Sequence, residues 1–154
     1  FGIHGPEEVD AVGANAKMNE FCAAMGLCNL RHVDEEIAKR KVVVERYLEH
    51  LEGVEGLHLS RPQPEVRSNY AYFPVVFDEK LFGASRNEVD DALAKNGIGA
   101  RKYFYPLTNT FECFHNKYDV ALHVAKRVLT LPLYSDLALE DVDRICKIVL
   151  ELRR

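Results

Sequence analysis

Tryptophan is absent, methionine occurs twice and cysteine four times in these 154 residues. The cysteines are Cys22, Cys28, Cys113 and Cys146. None forms a C-x-x-C pair, and the histidines show no H-x-x-x-H spacing, so no metal site is evident. A chain of this length needs no disulfide staples, and reduced cytoplasmic thiols are expected. No apolar run approaches the ~20 residues that cross a bilayer. The opening Phe1-Gly2-Ile3-His4-Gly5-Pro6 lacks the basic and apolar stretches of a signal peptide, and it starts with Phe, which reads as a start inside a longer frame or as processing. A basic excess is missing too: the net charge is -4, and Lys39-Arg40-Lys41 closely follows Asp34, Glu35 and Glu36. That argues against nucleic acid as a partner, which asks for a basic face. There is no internal repeat and no phosphate-cradling glycine loop. Gly97-Ile98-Gly99 lacks the third glycine and sits between a predicted helix and a predicted strand, the reverse of the dinucleotide arrangement.

What is present is the composition of a globular chain, 47% apolar and 29% charged with both signs mixed. One domain of this size buries roughly two-thirds of its unfolded surface. The first dozen residues read as irregular. Asn19 is a candidate N-cap for a helix over 20–31, with Phe21, Ala23, Ala24, Leu27 and Leu30 at helical spacing and Cys22 and Cys28 as small core residues. A second helix is predicted over 34–52, capped by Asp34, with Ile37, Val44, Leu48 and Leu51 as its apolar stripe. Tyr70 to Phe77 favours a strand, with Pro74 marking an edge or a bulge. Ser85-Arg86-Asn87-Glu88 has capping-box spacing, and Gly97 ends the helix that follows. Ile98 to Tyr105 reads as a strand, 117–128 as a helix, Val128 to Leu133 as a strand and 139–152 as a final helix. The predicted fold is α+β: a small mixed or antiparallel sheet with helices on one face, preceded by long connecting helices.

Two clusters suggest ligand chemistry. Arg101-Lys102-Tyr103-Phe104-Tyr105-Pro106-Leu107 puts two cations beside three aromatics at a strand end, and an arginine fork can clamp a diphosphate. The plainer alternative is a surface strand with Tyr103 and Tyr105 turned inward. Gly13, Asn15 and Lys17 precede a helix, whose N-terminal amides attract anions. The alternative there is a simple capping loop.

Several stretches, in order, resemble the DegT-type sugar aminotransferases. They are Gly13-Ala14-Asn15-Ala16-Lys17-Met18-Asn19-Glu20, then Ala23-Ala24-Met25-Gly26-Leu27, Arg40 and Tyr47, Asn69-Tyr70-Ala71-Tyr72-Phe73-Pro74, Ser85-Arg86-Asn87-Glu88, Ala100 to Leu107 and Leu129-Thr130-Leu131-Pro132-Leu133. The resemblance implies a fold type I pyridoxal 5'-phosphate enzyme. Such an enzyme has a large domain carrying the covalently bound cofactor, a smaller C-terminal domain and an active site at a homodimer interface. It implies amino transfer from glutamate to a keto group on a nucleotide-linked deoxysugar, with dTDP-4-keto-6-deoxyglucose as the candidate substrate. Residues 57–154 would then be the small domain, and residues 1–56 a connection packed on a large domain. The family's cofactor lysine lies in a serine- and glycine-containing motif upstream of the matching stretch, and no lysine here has that context, so the chain alone is expected to be inactive. Asn15 matches the asparagine that reaches the cofactor phosphate of the neighbouring subunit. Lys17 and Arg101 are implied contacts to the diphosphate, and Tyr103 to the sugar. Thr108 stands where many members carry a histidine. The alternative reading is a non-catalytic α+β module for small-molecule binding or assembly.

Overall fold

The computed structural model describes residues 3–5, 8–9, 16–61, 63–107 and 118–154. The chain divides into two compact units, Phe1–Asp34 and Glu35–Arg154. In the first, β1 (Ile3–Gly5) and β2 (Glu8–Val9) pair antiparallel, with Ile3 opposite Val9 and Gly5 opposite Glu8. The start of the chain is thus not wholly irregular. Helix α1 (Glu20–Leu30) follows, and Asn19 caps it as predicted: its Oδ1 accepts from the Cys22 N–H at 2.9 Å. None of its residues is buried, so Cys22 and Cys28 are exposed and are not core residues.

The second unit is an antiparallel sheet with helices. Its strands are β3 (Leu57–Leu59), β4 (Phe73–Phe77) and β5 (Val128–Leu131), in that spatial order. Its helices are α2 (Val33–Leu51), which begins within the first unit's last residues, α3 (Glu79–Phe82), α4 (Arg86–Lys95), α5 (Asp119–Ala125) and α6 (Leu139–Leu150). Asp34 lies inside the first turn of α2 and is not its cap, because the helix begins at Val33. An acidic side chain there still suits the positive end of the helix. Among the described residues no helix is long and apolar enough to cross a membrane.

The core forms where the helical and strand periodicities meet. On β4, Phe73, Val75 and Phe77 alternate inward; their partners Leu131 and Leu129 share that face. Against it pack Tyr47 and Leu51 of α2, Val89 and Leu93 of α4, and Val142, Ile145, Cys146 and Val149 of α6. A fully buried aliphatic side chain of this kind contributes about 1.5–3 kcal/mol. The apolar stripe of α2, a helix that the sequence grouped with residues 1–56, therefore belongs largely to the core of the sheet's unit.

Helix α4 follows its sequence signals closely. Glu88 Oε2 accepts from Ser85 N–H at 2.7 Å and Ser85 Oγ from Glu88 N–H at 3.2 Å, closing the capping box. These bonds hold the Glu88 carboxyl below its usual range. At the other end Gly97 takes φ +75°, and Ile98 N–H reaches Leu93 O at 3.0 Å.

Two strand expectations change. The strand predicted from Tyr70 starts at Phe73, because Tyr70 adopts φ +49° in a turn where Ser68 Oγ and Asn69 Oδ1 accept from the Tyr70 and Ala71 N–H groups. The strand predicted over Ile98–Tyr105 contracts to one bridge, Arg101 opposite Thr130. Beyond it the backbone turns, with Tyr105 N–H donating to Lys102 O at 2.8 Å, so Tyr103 and Tyr105 do not alternate inward along a strand.

Candidate functional site

Antiparallel partners share a face, and successive residues alternate faces. Leu129 and Leu131 point into the core, so Thr130 points to the opposite, outer face. Its partners Pro74 and Arg101 lie on that face, as does Tyr72 two residues before Pro74. The outer face thus gathers Tyr72, Thr130 and Arg101, and the turn after Arg101 brings Tyr103 beside them. Together with Ala71, Gly99, Pro132 and Leu133 these residues line a hollow of about 200 Å³.

The hollow is built around Arg101. Its guanidinium donates from Nη1 to the Tyr103 hydroxyl and stands 5.4 Å from that ring's centroid. Phe104 stacks on the Tyr103 ring at 4.7 Å and 13°, and Tyr72 meets it edge-on at 5.5 Å and 83°. Tyr103 is therefore held on several sides and itself holds Arg101. Among the described residues no carboxylate pairs with Arg101, so most of its five N–H donors stay available to an acceptor in the hollow. Lys102 differs: its ammonium is 2.8 Å from Asp90 Oδ2. Among the described residues, one of the two adjacent cations has a carboxylate partner and the other has none. On the other side of Arg101 and Tyr103 lies a wider, shallower hollow bounded by Asp90, Lys102, Phe104, Tyr105 and Pro106.

Arg86, at the start of α4, is 5% exposed and supports that wall from behind. Its Nη1 donates to Ala125 O and Val128 O, both at 3.2 Å, and its guanidinium lies 5.2 Å from the Tyr105 ring centroid. Burial holds its pKa below the ordinary arginine value. Its Nε has no partner among the described residues.

Arg101 and Tyr103 are thus brought together in the hollow. Lys17 is exposed and belongs to the first compact unit. Asn15 and Thr108 lie outside the described residues. Sequence reasoning missed Tyr72, Thr130 and Arg86 as members of the site or its support. Two had a local signal. Thr130 is the polar residue inside the apolar strand Val128–Leu131, and Tyr72 is out of phase with Phe73. Arg86 had none, because its burial depends on the distant carbonyls of Ala125 and Val128.

A lysine that carries pyridoxal phosphate must be withdrawn from solvent and kept uncharged. The described lysines do not fit. Lys17, Lys41, Lys80, Lys95, Lys126 and Lys147 are exposed. Lys39 is ion-paired with Glu35 and Glu36, which raises its pKa, and Lys102 is paired with Asp90. What the described residues do offer is an arginine fork in an aromatic-walled hollow, suited to a phosphorylated, hydroxyl-bearing ligand.

The chain is 38% identical, over 97% of its length, to a dTDP-4-amino-4,6-dideoxy-D-glucose transaminase of Escherichia coli, and 31% identical over 99% to one of Shigella dysenteriae. It covers 42% and 43% of those two proteins, so it spans about two-fifths of the length of these curated relatives. Among solved structures, DesI in the presence of its TDP-sugar product superposes with a TM-score of 0.84 at 30% identity, over 98% of this chain and 40% of that one. The aminotransferase TlmJ of Streptoalloteichus hindustanus gives 0.79 at 26% identity, over 94% and 39%. With the family's model matching residues 2–150, the chain belongs to the DegT/DnrJ/EryC1/StrS aminotransferase family, whose members among its relatives are sugar transaminases.

Proposed function

We propose that this chain is the substrate-facing part of a longer pyridoxal-phosphate-dependent nucleotide-sugar aminotransferase. The reaction is amino transfer from glutamate to the keto group of dTDP-4-keto-6-deoxyglucose or a close relative. The cofactor would supply the electron sink, and its lysine would come from outside these residues. Arg101 clamps the diphosphate, and Tyr103 fixes Arg101 and offers its hydroxyl edge to the sugar; Lys17 is a separate candidate cation for a diphosphate. Asn15 donates to the cofactor phosphate of the neighbouring subunit in a homodimer. The first compact unit, Phe1–Asp34, connects to a large domain, and Glu35–Arg154, rather than 57–154 alone, form the small one. The family membership and the dTDP-sugar relatives support this reading. The observation that carries it is Arg101, unpaired with any described carboxylate and aimed into a tyrosine-walled hollow.

The test has two parts. The chain is incubated with pyridoxal phosphate, reduced with borohydride and mapped by mass spectrometry. Scattered substoichiometric lysine adducts are expected; one stoichiometric adduct together with transaminase turnover would refute an external lysine. Titration with dTDP should then show binding that Arg101→Lys weakens about tenfold or more, since a charge-assisted hydrogen bond contributes about 1.5–3 kcal/mol. Equal affinity in the two proteins removes Arg101 from the ligand site. The reading of a non-catalytic binding module draws on the same lysines, none of which is buried among the described residues. It predicts dTDP binding with no transaminase activity in the longer protein.

A further inference from the structure

The hollow has two walls that the sheet itself does not hold. The first residues of β4 and the last of β5 are neighbours, Phe73 opposite Leu131, so the segments Asn69–Tyr72 and Pro132–Leu133 leave the sheet at the same end. Both line or lead into the hollow through Ala71, Tyr72, Pro132 and Leu133. Past Phe73 and Leu131 there is no ladder to space them.

Helix α2 reaches each wall with one side chain. Arg40 donates from Nε and Nη2 to the Asn69 carbonyl, at 3.2 and 3.0 Å. Tyr47 donates its hydroxyl to the Pro132 carbonyl at 2.9 Å. Seven residues apart, the two side chains share one helix face, two turns from each other. Tyr47 is fully buried and stacked on Phe73 at 4.7 Å, so its ring is fixed and the hydroxyl has one place to go. Arg40 directs two donors at a single oxygen, which restrains the carbonyl in angle as well as in distance.

We propose that Arg40 and Tyr47 are positioning residues, a two-point brace from α2 that sets the spacing of the two walls of the ligand hollow. Their service to a nucleotide sugar rests on the functional reading above; their hold on the walls does not. Neither touches the hollow. Each acts through a backbone carbonyl, so side chains such as Tyr72 and Leu133 are presented at a spacing that a rigid helix determines.

Tyr47→Phe and Arg40→Lys test this in the whole chain, with backbone amide NMR in the free state and titration with dTDP. Tyr47→Phe keeps the buried ring and its stack on Phe73, so the fold survives; should it not, Arg40→Lys at the protein's rim carries the test. The expected result is segregated. Tyr47→Phe shifts the amides of Leu131 and Leu133, Arg40→Lys those of Ala71 and Tyr72, and neither moves those of Val75 or Leu93. Each variant weakens dTDP binding about two- to tenfold, the net range for one typical hydrogen bond, with unchanged far-ultraviolet circular dichroism. Segregated shifts without dTDP binding, even by the unaltered chain, leave the brace standing and remove the nucleotide reading. Wall amides that stay in place, or shifts spread evenly through the core, overturn the brace whatever the affinities.

Discussion

Pro74 lies directly opposite Thr130, the residue of β5 whose N–H and C=O both turn away from it to bond Arg101, at 2.8 and 3.0 Å. Pro74 and Thr130 therefore form a non-hydrogen-bonded pair, and the nitrogen of Pro74 faces the β3 side. There the ladder has ended one residue earlier, at Leu59 opposite Val75. A proline thus occupies the central strand at a position where no hydrogen-bond donor is required. Pro74→Ala should leave the ladder intact and lower stability by only about 0.4–1 kcal/mol, through the greater freedom of the unfolded chain. Val76→Pro, two residues on, removes a donor that serves the β3 ladder and should be far worse. Urea titrations of the two variants decide it; similar losses in both would show that the nitrogen at position 74 is not spared.

That pair also marks where the residues were informative and where they were not. The capping box of Ser85 and Glu88, the stop at Gly97 and the apolar stripes of α2 and α6 involve residues a few positions apart, so local sequence contains them. The proline signal was read as an edge or a bulge because proline and its neighbours do not reveal where β3 stops. The segment after Ile98 has strand-like residues, yet its path follows from the Arg101–Thr130 bridge and the Lys102–Asp90 pair, both with partners far away or on another element. The cation–aromatic cluster was recognisable by composition. Which cation lacks a carboxylate partner among the described residues was not, because that depends on Asp90. The small residues of α1 suggested a buried helix, and only the structure shows that nothing among the described residues covers it.

Arg86 is a buried cation whose partners are two main-chain carbonyls and an aromatic face. Replacing it by methionine removes a costly buried charge and also leaves the Ala125 and Val128 carbonyls without that donor. The second effect should dominate, since an unsatisfied buried polar group costs about 1–3 kcal/mol. Arg86→Met is expected to lower stability in urea by about that amount, and Arg86→Lys by less, because an ammonium can still reach one carbonyl. A Met variant as stable as the parent would show that desolvation of the charge had cancelled its hydrogen bonds.

Asp143 joins α6 to α2. Its carboxylate accepts from Arg46 Nε at 2.6 Å and Nη2 at 2.8 Å, and its Oδ1 lies 2.8 Å from His50 Nε2. The Arg46 hydrogen bonds, first, and that to His50 hold its pKa down at about 2, against 3.8 for a free aspartate. A carboxyl depressed on folding stabilises above its unfolded pKa, and that contribution disappears as pH falls through the folded value. Asp143→Asn should therefore be less stable than the parent at neutral pH, with the gap in melting temperature closing between about pH 4 and pH 2. A gap that stays constant across that window would show that the ion pair adds nothing dependent on charge.

Among the described residues, helix α1 carries the most exposed large apolar side chains. Phe21 is 85% exposed and Met25 64%, while Leu27 and Leu30, on the other side of the helix, are 63% and 67% exposed. Only Glu20 and Asn29 interrupt the apolar circumference. A helix apolar all round is normally enclosed, and an open apolar patch drives association. Among the described residues the stripe of α2 is largely satisfied within the sheet's core, whereas the apolar surface of α1 is not. At tens of micromolar the chain should sediment as a self-associated species. Phe21→Glu with Leu27→Glu, one charge on each side of α1, should shift it to monomer without moving the melting temperature of the sheet's unit. Alanine at Leu48 on α2, by contrast, should leave the sedimentation profile unchanged, whereas a monodisperse monomer of the unaltered chain would show that α1 finds its cover elsewhere in the same molecule.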